Sequence, residues 1–306
     1  MQTGLIFWIG FNVAVLLLLA LDLLVFYCDR RPVSLREAAI SSAGWVLLSL
    51  GFAACICRAE GMVKGVEFIT GYVIEYSLSM DNLFVFIMIF AYFKVPPEHQ
   101  RRVLVWGILG ALVMRGAMIA AGVRLVERFG WILYGFGVLL LVTGVRMFFK
   151  KGEGEPGKNF VIRLCGRIPR VSPEYHGARF LVRTEAGWMW TRLAVALVVV
   201  DLMDALFAVD SVPAVFAVTR APFIVYTSNV CAILGLRSLY FLLAGVADRF
   251  KHLHYGIAAV LTFIGVKMLA AGVLPIGNGT SLLVVGALLG GAVVWSLAAK
   301  GGEIGA

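Results

Sequence analysis

The chain has 306 residues, of which 61% are hydrophobic and only 15% charged, and it carries a net charge of +9. Soluble domains contain about 45–50% apolar and about 25% charged residues, so this composition excludes an ordinary soluble protein. The positive charge does not indicate a nucleic-acid partner, because the lysines and arginines concentrate between apolar runs, as they do in membrane proteins.

The apolar runs are long enough to cross a bilayer. A helix needs roughly 20 mostly apolar residues to span the hydrocarbon, and its backbone groups must be hydrogen-bonded within the segment. We therefore predict an all-α, polytopic membrane protein with about nine transmembrane helices. The predicted spans are 4–27, 36–57, 66–93, 101–124, 130–149, 192–219, 222–247, 253–273 and 280–299.

The distribution of positive charge predicts the orientation. Of the 27 lysines and arginines, 18 lie on the side that holds residues 150–191, five lie on the other side and four lie within spans. Cytoplasmic loops carry such an excess, so we expect the N-terminus outside and the C-terminus in the cytoplasm. The cytoplasmic loop 150–191 is either a simple tether or a functional segment, and alternation with turn residues predicts a small β-hairpin over 178–190.

An internal repeat divides the chain. The stretch Glu127–Met147 recurs as Asp248–Met268 at an offset of 121 residues. Each copy contains three predicted spans, which gives the second copy the opposite orientation, and such 3+3 inverted repeats are typical of transporters. The predicted units are two N-terminal helices (1–65), repeat A (66–149), the loop (150–191), repeat B (192–273) and a final helix with a short tail (274–306).

Two acidic stretches interrupt the apolar runs at equivalent places in the repeats, at an offset of 129 residues. An Asp at the centre of a membrane helix costs about 2.5–3.5 kcal/mol, so several acids together indicate a function. Carboxylates, an amide and a hydroxyl form an oxygen set that suits hard divalent cations such as Mn²⁺, Mg²⁺ or Ca²⁺. The candidate metal ligands are Glu75, Asp81, Asn82, Asp201, Asp204, Asp210 and Ser211.

Two features bear on how these acids are held. Arg115 and Arg237 lie in the middle of predicted spans and could pair with the acids in a neutral, structural network. The acids outnumber the two arginines, and this surplus of negative charge favours a cation site. Pro213 predicts a break in the helix close to Asp210, because proline removes one backbone hydrogen bond and crowds the preceding turn.

Four stretches resemble the TerC family of integral membrane proteins: Glu75–Phe86, Phe207–Arg220, Tyr226–Phe241 and Asp248–Met268. The family is named for tellurium resistance and has relatives in the LysE transporter group. The resemblance implies a manganese exporter of the bacterial inner membrane, with acidic positions at Glu75, Asp81, Asp204 and Asp210. Asp201 stands where the family usually has Glu, which shortens the reach of that side chain by one methylene.

We therefore expect an exporter of a divalent cation, Mn²⁺ above all, that works by alternating access. The alternative is a membrane-embedded interaction, assembly or tellurite-resistance protein in which the acids are structural. An intramembrane aspartyl protease is disfavoured because no Gly-x-Gly-Asp follows the apolar run, so we expect no enzymatic activity. We also expect no permanently bound cofactor, with the cation as substrate, the lipid bilayer as surroundings and protein partners left open.

Overall fold

The computed structural model describes residues 5–27, 33–149, 171–172, 177, 179–184, 187–245, 253–271 and 276–301. Ten helices and one hairpin make up this part of the chain. The helices are α1 (Leu5–Tyr27), α2 (Leu35–Glu60), α3 (Met62–Phe93), α4 (Pro97–Arg128), α5 (Ile132–Phe149), α6 (Arg192–Phe216), α7 (Pro222–Leu234), α8 (Leu236–Ala244), α9 (Leu253–Leu269) and α10 (Asn278–Gly301). The strands are β1 (Leu181–Thr184) and β2 (Gly187–Trp190).

Several of these helices can cross a membrane. Helices α2 to α5 and residues Asn278–Ser296 of α10 are long and apolar enough, and α7 with α8 makes a sixth candidate if that pair, bent by 41°, is one span. Helices α1 and α9 contain shorter apolar segments, and α6 has 25 residues but three carboxylates. The chain is thus an all-α, polytopic membrane protein, while the number of nine spans stays a prediction.

Local sequence sets where the helices begin. Ser34 caps α2 in a reciprocal pair with Glu37, in which each side chain accepts a backbone N–H that the first turn leaves free. Thr191 caps α6, because its hydroxyl oxygen accepts a hydrogen bond from the N–H of Ala194. Helices α4 and α7 have a proline in their first turn, where a missing N–H costs nothing.

The first two helices of each predicted repeat pack against the first two helices of the other. Helix α3 contacts α6 and α7, while α4 contacts α6 and α7 in turn. Nearly every residue of α7 is buried, including its polar Thr227, Ser228 and Asn229, so this helix is enclosed by others on all sides. Glu75 of α3 and Asp204 of α6 are buried inside the bundle, whereas Leu202, Leu206 and Val209 lie on an exposed face of α6.

Helices α5 and α9 cross at two glycines. A Cβ on Gly144 would lie 2.5 Å from Thr262 Oγ1, and a Cβ on Gly265 would lie 2.6 Å from the backbone N of Leu141. Thr262 and Gly265 are the counterparts of Leu141 and Gly144 at the offset of 121 residues. The contact is thus reciprocal, since each helix presents the same glycine to the same position of the other, as in a two-fold interface.

Helix α6 runs through Pro213 without a break, so the predicted interruption beside Asp210 is wrong. Proline removes only one backbone hydrogen bond, and all residues from Ser211 to Phe216 are buried against neighbouring helices, which compensates for that loss. The bend lies in the next span instead, where Gly235 separates α7 from α8.

The hairpin precedes α6 directly. Strands β1 and β2 pair antiparallel, from Leu181 opposite Trp190 to Thr184 opposite Gly187. Both strands fall within the segment for which a hairpin is predicted. The Thr191 hydroxyl, which caps α6, lies 2.8 Å from the carbonyl oxygen of Arg179, so the hairpin and the helix start are one connected unit. Residues 150–170 of the loop lie outside the described part of the chain.

Candidate metal centre

Helices α3 and α6 bring equivalent acids of the two stretches to one place. Glu75 lies on α3 and Asp204 on α6, at the same position of the two motifs. Both side chains are almost completely buried, with exposed fractions of 0% and 3%. A buried carboxylate is stable only when a positive charge or hydrogen-bond donors face it, so the surroundings of this pair define the site.

Arg115 of α4 joins the two motifs. Its Nε and Nη2 donate to the two carboxylate oxygens of Asp204 at 3.0 and 2.8 Å, the paired geometry of a strong ion contact. Its Nη1 donates to Glu75 Oε1 and also to Ser211 Oγ at 3.4 Å. The structure therefore unites three of the seven candidate ligands around one of the two candidate charge partners.

Positive charge does not balance the acids at this place. One guanidinium faces two carboxylates, and Asp201 lies one helical turn before Asp204 on α6. Three oxygen atoms here are buried without a hydrogen-bond partner in the described part of the chain: Glu75 Oε2, Ser79 Oγ and Asp201 Oδ1. Native proteins rarely leave such atoms unpaired, so these oxygens are available to a ligand.

Asp201 lies against a glycine face of α4. Its carboxylate oxygens would be 3.4 Å from a Cβ on Gly107 and only 2.8 Å from a Cβ on Gly110. The close approach requires glycine at position 110, because any larger residue would push the carboxylate away. In the sequence Gly107-Ile-Leu-Gly110 recurs as Ala232-Ile-Leu-Gly235, but this pattern alone does not indicate that the glycines accommodate an acid.

Asp210 points to a different helix. Thr143 of α5 donates its hydroxyl to Asp210 Oδ1 at 3.4 Å. Six residues along a continuous helix turn a side chain by roughly 120°, so Asp210 faces α5 while Asp204 faces Arg115 on α4. An unbroken α6 therefore separates two acids that the sequence analysis places in one ligand set.

The remaining predicted residues divide as follows. Asn82 is buried within α3. The side chain of Asp81 lies outside the described residues, so its approach to Asp210 stays a prediction. Arg237 is buried and lines a small pocket with Glu37 and residues of α2 and α4. Among the described residues, no group of three or more His, Cys, Asp or Glu side chains is arranged to hold a metal ion.

The sequence analysis missed a second polar network, centred on Glu67. This carboxylate accepts hydrogen bonds from Thr219 Oγ1 at 2.5 Å, Lys64 Nζ at 2.7 Å and Asn278 Nδ2 at 3.4 Å. Lys267 donates to the Asn278 amide oxygen at 3.3 Å. The network links the start of α3, the α6–α7 loop and α9 with α10. The sequence feature that could have indicated this network is Glu67 itself, an acid at the second residue of the predicted span 66–93.

Comparison with known proteins settles the family. The profile described as "Integral membrane protein TerC family" matches residues 60–301, which include every candidate ligand and Arg115. The chain belongs to the TerC family. No solved structure matches it.

The TerC-family relatives cover nearly the whole chain. It is 47% identical over 296 residues to Alx of Escherichia coli K12, whose name proposes a membrane-bound redox modulator. The match covers 92% of this chain and 91% of the relative. It is 45% identical over 291 residues to membrane protein STKORF319 of Myxococcus xanthus, covering 95% and 91%. A membrane protein of Rickettsia felis is 34% identical over 294 residues, covering 96% and 98%.

Proposed function

We propose that this TerC-family protein exports a divalent metal cation, manganese above all, by alternating access at the acids of α3 and α6. One observation carries the proposal. Glu75 and Asp204, equivalent residues of the two motifs, are buried and both accept hydrogen bonds from the guanidinium of Arg115. We place the protein in the bacterial inner membrane with its N-terminus outside, following the distribution of positive charge.

The charge and chemistry of the cluster support a cation substrate. Glu75 and Asp204 supply two negative charges against the one positive charge of Arg115, and Asp201 lies one helical turn before Asp204. A divalent cation that leaves water loses its hydration and needs opposite charge close by. Glu75 Oε2, Ser79 Oγ and Asp201 Oδ1 are oxygen donors, which Mn²⁺ and other hard cations accept.

Arg115 gives the cluster a way to exist in two states. Its guanidinium occupies the space between two carboxylates that a divalent cation would bridge. In our proposal the cation displaces Arg115 when it binds, and the guanidinium returns when the cation leaves. Without that return, two carboxylates would be buried together without opposing charge, which is strongly unfavourable.

The reciprocal contact of α5 with α9 supports an inverted repeat of 66–149 and 192–273. Gly144 and Gly265 make the same contact from opposite sides, as two copies related by a two-fold axis would. In transporters built this way, the two halves rock around a site near the membrane midplane. The Glu67 network would then connect the outer ends of helices from both halves.

The alternative is that the acids are structural and the protein serves interaction, assembly or tellurite resistance. The same Arg115 contact favours it, since a buried ion network can simply hold three helices together. A redox role, as in the name of the E. coli relative, finds little support in the cysteines of the described residues. These are free, with Cys55 exposed, Cys57 half-buried and Cys231 buried.

Cellular manganese tests the proposal in a bacterial strain that lacks its own exporter and is challenged with excess Mn²⁺. Wild-type protein should lower the manganese content and restore growth, whereas Glu75→Gln and Asp204→Asn should do neither at equal membrane abundance. Glu98→Gln is the control, because Glu98 is an exposed acid at the start of α4. Normal export by both cluster variants would favour the structural alternative.

A further inference from the structure

One face of the hairpin is exposed and carries large apolar side chains. Paired residues of an antiparallel ladder project to the same side, so Leu181 with Trp190 and Arg183 with Trp188 share one face. Leu181, Trp188 and Trp190 have exposed fractions of 47%, 64% and 41%, and Arg183 is exposed as well. Val182 and Met189, on the opposite face, are half-buried.

This face lies beside the start of α6, which the sequence predicts to span the membrane over 192–219. Trp190 directly precedes Thr191, the cap of α6, and its carbonyl accepts a hydrogen bond from Ser172 N at 2.8 Å. At about 3.3 Å per residue, Trp188 lies within about 10 Å of that cap. The headgroup layer on each side of the hydrocarbon is roughly 5–8 Å thick, so the hairpin is within reach of it.

The base of the hairpin packs against an exposed side of α4. Phe180, which precedes β1, meets Trp106 of α4 edge to face with ring centroids 6.4 Å apart. The guanidinium carbon of Arg102 lies 5.2 Å from the Phe180 ring centroid. Trp106 is 50% exposed on a helix that is long and apolar enough to span the membrane, and in such a span its open side would face lipid. The hairpin thus extends an exposed aromatic surface of that helix.

We propose that the face formed by Leu181, Arg183, Trp188 and Trp190 lies in the phospholipid headgroup layer. Tryptophan is enriched at this boundary because its ring is apolar and its N–H is polar. The Arg183 guanidinium can bind a lipid phosphate through two parallel hydrogen bonds, and the exposed Arg179 adds a second positive charge. Anionic lipids attract such residues, so the occupant is the bilayer itself and the proposal does not depend on the transported substrate.

The hairpin then acts as an interfacial anchor for α6. It fixes the height at which α6 begins, and through Phe180 it ties that height to α4, the helix that carries Arg115. An anchored start limits sliding of the two helices along the membrane normal, because moving two tryptophans out of the interface is unfavourable.

Photocrosslinking tests this inference with the full-length protein in phospholipid vesicles. We would replace Trp188, and in a separate variant Met189, by p-benzoylphenylalanine, irradiate, and measure lipid adducts by mass spectrometry. Met189 is the matched control because it is the next residue in β2 but on the opposite face. Trp188→p-benzoylphenylalanine should give several-fold more lipid adduct than Met189→p-benzoylphenylalanine.

A second experiment compares vesicles that contain anionic lipid with vesicles that do not. Adding Arg183→Gln to the Trp188 variant should lower the adduct yield in vesicles rich in phosphatidylglycerol and change it little in purely zwitterionic vesicles. Equal lipid adducts at positions 188 and 189 would overturn the proposal. So would crosslinks at position 188 that go mainly to protein, because a second copy or another part of the polypeptide would then cover the face.

Discussion

Glu75 and Asp204 are 129 residues apart in the chain, and each bonds a different part of the same guanidinium. Asp204 accepts hydrogen bonds from Nε and Nη2 of Arg115, and Glu75 accepts one from Nη1. Because the two acids occupy equivalent positions in the two motifs, Arg115 breaks the symmetry of an otherwise repeated arrangement. We regard this asymmetry as the feature that lets a cation replace the guanidinium.

Removing Arg115 should destabilise the protein. Arg115→Gln leaves two buried carboxylates without their positive partner, and breaking such a contact from one side costs about 3–5 kcal/mol. Thermal unfolding in detergent should therefore occur at a clearly lower temperature. The double variant Arg115→Gln/Asp204→Asn should recover part of the loss, since one unpaired charge is gone. An unchanged unfolding temperature for Arg115→Gln would show that the ion contact is not formed.

Gly110→Ala should impair transport more than it impairs folding. The added Cβ would lie 2.8 Å from Asp201 Oδ2, so the carboxylate must move away from α4. Alanine favours a helix over glycine by about 1 kcal/mol, which offsets part of the packing cost. Gly107→Ala is the control, because its Cβ would lie 3.4 Å from Asp201, and it should be milder. Manganese flux and membrane abundance measure the two effects, and equal flux in both variants would contradict a role for Asp201.

The reciprocal glycine contact predicts matched effects at two distant positions. Gly144→Ala and Gly265→Ala should each lower the free energy of unfolding by about 1–3 kcal/mol, because each Cβ would overlap the facing helix. Gly135→Ala should cause no such loss, since nothing lies within 4 Å of its added Cβ. In the double variant the losses should not add fully, because either substitution already separates α5 from α9. Full additivity would argue against one shared contact.

Asp210→Asn should abolish export although Asp210 lies outside the Arg115 cluster. Asparagine keeps the shape and one acceptor oxygen but removes the charge that would oppose a divalent cation. Thr143→Val removes the hydroxyl that contacts Asp210 and should have a weaker effect. The measurement is cellular manganese under Mn²⁺ challenge at equal expression. Normal export by Asp210→Asn would limit the site to the residues around Arg115.

Sequence patterns predict part of this architecture well. The apolar runs predict the helical class, since unpaired backbone groups are not tolerated in lipid. Two acids at matching positions predict one site, and Glu75 and Asp204 both contact Arg115, while the metal site itself stays a prediction. Arg115 lies between them, as the alternative of a buried ion network requires.

Other features depend on packing that a sequence pattern does not contain. Burial of residues 211 to 216 keeps α6 continuous through Pro213, and a continuous helix turns Asp210 toward α5. The fit of Asp201 against Gly110 and the network around Glu67 depend on which faces of distant helices meet. Helical spacing gives the faces of each helix but not their partners, so these contacts could not be predicted.

Manganese flux through the purified protein in vesicles tests the central claim most directly. Vesicles loaded with a dye that Mn²⁺ quenches would contain wild-type protein, Glu75→Gln or Glu98→Gln. Our account predicts saturable quenching with the wild type and Glu98→Gln, and none above empty vesicles with Glu75→Gln at equal protein content. Equal flux through Glu75→Gln and the wild type, or no flux through either, would contradict manganese transport at the Glu75–Arg115–Asp204 cluster.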